Sequence, residues 1–104
     1  TQLTFGFSRD DVAGRFLGHY LELGLLDHDP FDHLDDAAVG ELIDLAVKRG
    51  RVVAPGLKVG VCGEHAGHPA SIRRLLAAGV DYLSCSPARL PVARLAAARA
   101  VLGV

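Results

Sequence analysis

Val59-Gly60-Val61-Cys62-Gly63-Glu64-His65-Ala66-Gly67-His68-Pro69 is the stretch on which the fold turns. A short apolar run ends in a thiol, passes into glycines and polar side chains, and reaches a proline suited to the first position of a helix. The pattern is strand, turn, helix. Parallel α/β proteins handle ligands at the C-terminal ends of their strands, so a cysteine at the last strand residue points toward a site rather than into packing.

Working outward, Leu57 to Cys62 is short and nearly all apolar, the kind of strand buried on both faces of a parallel sheet. Ile72, Leu75 and Leu76 give the following helix its stripe up to Gly79. Val80 to Cys85 is a second strand of the same kind, broken by Ser86-Pro87, and Pro91 opens an Ala-rich last helix through about Leu102. On the N-terminal side, Asp35 or Asp36 caps a helix with the stripe Val39, Leu42, Ile43, Ala46 and Val47. Lys48, Arg49 and Gly50 suit its C-terminal end. Before it lies Leu25 to Asp36, rich in His and Asp and read as a long surface connection. Earlier still, Ser8 and Asp11 open a first helix, Asp10 to Leu23, stopped by Gly24. Thr1 to Phe7 is read as a strand remnant or an extended lead-in.

The order helix, helix, strand, helix, strand, helix contains one βαβ unit and one more helix, and such units require a parallel sheet. Two strands alone cannot cover both faces. The fold class is therefore α/β, with residues 1–104 a single partial domain cut from a larger barrel or doubly wound sheet. A chain that starts at Thr1 and holds no Met fits the expectation of a fragment or processed piece.

Composition removes several function classes. There are 11 basic and 12 acidic residues, so nothing attracts nucleic acid or an anionic membrane. No apolar run approaches the ~18 residues of a membrane span, no signal-peptide pattern opens the chain, and a cytoplasmic setting is expected. Cys62 and Cys85 are read as free thiols, and the lack of a C-x-x-C pair argues against a redox protein.

Cys62 is the sharpest candidate. Backbone N–H groups of the turn and helix start help to stabilise a thiolate there, although a small buried hydrophobe at a strand end has the same signature. Cys62, His65 and His68 share a C-x₂-H-x₂-H spacing but lack a second ligand pair for zinc. His65 is read as a polar wall of the pocket and His68 as a helix-start residue. Cys85, at the second strand end, is read as a small residue fitting a tight rim. Asp27, His28, Asp29, Asp32, His33, Asp35 and Asp36 lack the glycine and spacing of a calcium loop, and read as a solvated connection.

TQLTFGFSRDD, LGLLDHDPFDHLD, LKVGVCGEHAGHPASI and VDYLSCSPARLPVARLAAARA together resemble the C-terminal end of the pyruvate, phosphate dikinases, in the phosphoenolpyruvate/pyruvate barrel of the PEP-utilising enzymes. Phosphoenolpyruvate synthase and the phosphotransferase-system enzyme I are more distant likenesses, sharing the CGE turn. The resemblance implies the last part of a (β/α)₈ barrel with strands near 57–62 and 80–85. It also implies interconversion of pyruvate, ATP and phosphate with phosphoenolpyruvate, AMP and pyrophosphate. Cys62 is then the acid/base that exchanges a proton with the methyl carbon of pyruvate's enolate. Gly63, Glu64, His65 and Tyr82 line the substrate pocket, with Tyr82 positioning the thiol. The implied Mg²⁺ has its ligands upstream of Thr1, leaving no metal ligand in this segment. Implied partners are pyruvate or phosphoenolpyruvate, the remainder of the barrel, a separate phosphohistidine domain and a second copy in a full-length homodimer. His68 stands where the family's turn carries an acidic residue. The segment alone is expected to be inactive. The rival reading is a non-catalytic remnant or interaction module whose open apolar edge is covered by a partner.

Overall fold

A computed structural model describes all 104 residues. The βαβ unit is present: β1 (Gly60–Cys62) and β2 (Tyr82–Ser84) pair in parallel, joined through α5 (Pro69–Ala77), and α6 (Leu90–Leu102) follows. The register sets Gly60 against Tyr82, Val61 against Leu83 and Cys62 against Ser84. Pro69 occupies the first turn of α5 and Pro91 that of α6, as their missing N–H groups favour.

Both regular strands are three residues long, shorter than 57–62 and 80–85, although pairing extends past each end. Asp81 N donates to Val59 O at 2.8 Å, and Gly63 N donates to Ser84 O at 3.2 Å. The strand entrance is clamped by Asp81, whose carboxylate accepts from Val59 N at 2.8 Å and from Arg51 Nη2 at 2.8 Å. Those contacts, the Val59 N–H foremost, hold the Asp81 carboxyl below its usual 3.8.

The expectation of strands buried on both faces fails. Val61 and Leu83 pack against a core of Leu34, Val39, Val47, Leu75 and Val80, whereas Gly60, Cys62, Tyr82 and Ser84 are exposed. The reason is arithmetic of layers: the helices lie against one face, and this chain has no element for the other.

The N-terminal half departs further from the periodicity. Thr1–Phe7 is not a strand but contains a one-turn helix, α1 (Gln2–Phe5), closed by Gly6 at φ 74°. It has no strand to pair with, and its aromatic rings join a local cluster instead. Phe7 lies 5.7 Å from Phe5, 5.6 Å from Phe16 and 6.0 Å from Phe31 between ring centroids. The single helix expected over Asp10–Leu23 is two, α2 (Arg9–Val12) and α3 (Leu17–Glu22). Ala13 turns extended and Gly14 takes φ 72°, a value that favours glycine and breaks the run.

Asp35 does cap the next element, accepting from Ala38 N at 2.7 Å and Val39 N at 3.3 Å. A π-helical turn, Asp36–Gly40, leads into α4 (Glu41–Val53). Helix α4 continues past Gly50, the expected stop, and ends where Ala54 becomes extended ahead of Pro55. Arg74 of α5 locks these layers together. It donates to Asp44 from Nη1 at 3.1 Å and Nη2 at 2.7 Å and also pairs with Asp36.

Candidate functional site

The site is built where β1 leaves the sheet. Cys62, the last residue of β1, is an exposed free thiol on the face turned away from the helices. Gly63 follows with φ 98° and ψ −165°, a backbone region essentially restricted to glycine, and reverses the chain directly behind the thiol. Glu64–Gly67 then form a 3₁₀ turn that delivers His68 to the N-cap of α5.

Tyr82 shares the bare face with Cys62. Its ring covers Gly60, one pleat back along β1, so closely that a Cβ on Gly60 would clash with the ring atoms. The glycine therefore has a packing reason. Glu64 Oε2 lies 3.2 Å from Arg89 Nη2, and the same nitrogen donates to Asp32 Oδ1 at 3.0 Å. His65 Nε2 is 2.9 Å from the carbonyl oxygen of Pro30. The turn after β1 is thus tied twice to the connection that precedes α4. Cys62, Gly63, Glu64 and His65 follow one another at this end of the sheet, whereas Tyr82 opens β2 opposite Gly60, on the same face but at the strand entrance.

Cys85 is half-buried, one residue past β2, and a Cβ on Gly67 would come 3.3 Å from its own Cβ. It packs as a rim residue. The zinc spacing of Cys62, His65 and His68 does not assemble: His65 is occupied with Pro30, and His68 stacks on His33 at 4.7 Å between centroids. His33 in turn stacks on His28 at 4.3 Å. Burial, then the neighbouring His28 and His68, holds the His33 imidazole below its usual 6.5, with Asp32 opposing and His65 adding to the fall.

The acidic connection does more than face solvent. Asp29 accepts from Phe31 N at 2.8 Å, Asp32 meets Arg89, Asp35 caps and Asp36 meets Arg74. No three His, Cys, Asp or Glu side chains converge as metal ligands.

Two features escaped sequence reasoning. The histidine stack joins residues from separate segments, and no local spacing announces it. Arg89 lies within the quoted SCSPARLP stretch, but its partners are 57 and 25 positions away in the chain, visible only after the two strand ends are side by side.

A family model described as PEP-utilising enzyme, PEP-binding domain, matches residues 1–102. Pyruvate, phosphate dikinase 1 of Oryza sativa subsp. japonica is 60% identical over 102 residues, covering 98% of this chain and 11% of that protein. The corresponding protein of Arabidopsis thaliana is 58% identical over 102 residues, at 98% and 10%. Pyruvate, phosphate dikinase 2 of Zea mays is 57% identical over 102 residues, at 98% and 11%. The chain therefore spans about a tenth of the length of these relatives. The rice and Arabidopsis relatives are named chloroplastic, and the maize one carries no compartment in its name. No helix of this chain is long and apolar enough to cross a membrane.

Proposed function

The chain belongs to the PEP-utilising enzyme family, matching its PEP-binding domain, and from that premise we propose that it is the C-terminal part of a pyruvate, phosphate dikinase barrel. The complete protein would interconvert pyruvate, ATP and phosphate with phosphoenolpyruvate, AMP and pyrophosphate, in a cytoplasmic setting. Cys62 is its proton donor. The observation that carries this reading is the placement of an exposed thiol at the C-terminal end of β1, on the sheet face that the helices leave bare. In a (β/α)₈ barrel that face is the interior, and strand C-termini carry the chemistry.

The proton step balances simply. The Cys62 S–H gives its proton to C3 of the enolate, the enolate's electron pair forms the new C–H bond, and pyruvate and a thiolate result. In the opposite direction the thiolate takes a methyl proton and leaves the enolate for phosphorylation. Proton transfer to carbon needs a group of suitable pKa held within reach of the carbon. Gly63 fixes the exit of the chain, and Tyr82, packed on Gly60, walls the same face. Glu64 and His65 are held by Arg89 and Pro30, so the turn cannot swing into the space beside the thiol.

The magnesium ion that the family likeness implies does not fit the side chains here. Asp32 and Glu64 are committed to Arg89, and no other ligand set converges. Its ligands belong to other parts of the barrel, and the phosphohistidine to a separate domain; the full-length protein is a homodimer in this proposal.

Alkylation tests the assignment. In the full-length protein iodoacetamide should modify Cys62 before Cys85, with loss of turnover, and pyruvate should slow that modification. Equal labelling with and without pyruvate would remove Cys62 from the substrate site.

A further inference from the structure

Arg89 follows β2, in the 3₁₀ turn Pro87–Arg89, and nothing in the proton step above uses it directly. Its stem crosses the turn that follows the other strand. A Cβ on Gly67 would stand 2.6 Å from Arg89 Cδ and 3.1 Å from Arg89 Cβ, so the turn is glycine where the arginine passes. At the far end one nitrogen, Nη2, meets two carboxylates, Asp32 at 3.0 Å and Glu64 at 3.2 Å. Glu64 is two residues beyond Cys62. Three segments distant in sequence, the acidic connection, the turn after β1 and the turn after β2, therefore meet at one cation.

Without that cation, the two carboxylates would repel each other beside the thiol's turn, and only the His65–Pro30 contact would still tie the turn to the acidic connection. We propose that Arg89 is a positioning residue for the reacting thiol: its guanidinium holds Glu64 against Asp32 and so fixes the Gly63–Gly67 turn on which the placement of Cys62 depends. This rests on the reading of Cys62 as proton donor. The side chains of Arg89, Asp32 and Glu64 are each 37–46% exposed, and ion pairs this wet add little to global stability. Their effect is on geometry, where a displacement of about 1 Å costs on the order of 100-fold in rate.

The test is C3–H exchange of pyruvate into deuterated water by the full-length protein, comparing wild type, Arg89→Gln, Arg89→Lys and Cys62→Ala. Arg89→Gln should slow exchange and kcat by about 10- to 100-fold while KM for pyruvate and nucleotide-driven histidine phosphorylation hold. Arg89→Lys should recover most of the loss, because a single nitrogen makes both contacts. If Arg89→Gln does not fold, Asp32→Asn, which removes one tether only, should show a smaller loss of the same kind. Wild-type exchange in the folded Arg89 or Asp32 variant overturns the assignment. So does a loss of exchange matched by an equal loss of histidine phosphorylation. Wild-type exchange in Cys62→Ala instead overturns the proton-donor reading, and the Arg89 assignment falls with it.

Discussion

Gly63 and His33 are the residues at which physical constraint is most visible. Gly63 has open space around its missing side chain, so the obstacle to substitution is its positive φ alone. Gly63→Ala should therefore cost about 1–3 kcal/mol of local strain. It should also reduce turnover more than it lowers the melting temperature, because the strain is relieved by moving the thiol's exit. An unchanged kcat would show that the turn has no part in placing Cys62. His33 makes a pH prediction. Its folded pKa lies below 6.5, so the unfolded connection takes up a proton before the folded one does. The stack's contribution is complete above pH 6.5 and is lost as pH falls from there through the lowered folded value. In the full-length protein, proteolysis of the 25–36 connection should quicken between about pH 7.5 and 5.5, and His33→Gln should flatten that dependence. Equal cleavage at both pH values would contradict the stack's role. His28, His65, His68 and Asp32 are the charges that surround it.

Helix α5 is the element on which the site depends, since it joins the two strands and begins at His68. Ile72 and Leu75 are fully buried, and Arg74 is held by Asp44 and Asp36. Leu75→Ala should destabilise the domain by about 2–5 kcal/mol, seen as an earlier thermal transition of the full-length protein. No shift would mean that the packing of α5 on the core is not what holds β1 and β2 in register. The βαβ unit was readable from residues because its signals are local: apolar strands, a glycine turn, and prolines at two helix starts. The N-terminal half was not. Its helical spacing over Asp10–Leu23 is real, but Gly14 interrupts it, and the aromatic cluster around Phe7 draws the lead-in away from an extended form. Gly50 misled in the other direction. A glycine ends a helix only where the chain must turn, and here Pro55 sets the end. Likewise Cys62 and Gly63 were legible as neighbours at a strand end, whereas Tyr82 entered only through the family likeness and Arg89 required the folded chain to bring its two carboxylates together.

At the scale of the molecule, too little is buried. Only 14 of 104 residues are buried although half the composition is apolar, and Val52, Val53, Leu95, Val101 and Leu102 are among the large side chains left exposed. The radius of gyration is 14.7 Å, against about 13 Å for a self-contained domain of this length. The isolated chain should therefore melt without a sharp cooperative transition in far-UV circular dichroism. A steep, reversible melt would show that it needs no further barrel strands. The bare sheet face that explains this weakness is also the face that presents the thiol, so under the proposed function stability and chemistry would meet at Cys62. The most direct measurement is pyruvate C3–H exchange into deuterated water by the full-length protein, wild type against Cys62→Ala. The account predicts that exchange and turnover collapse while nucleotide-driven histidine phosphorylation survives. Exchange near the wild-type rate would contradict it, leaving Cys62 a residue of the strand end and placing the acid/base elsewhere in the barrel.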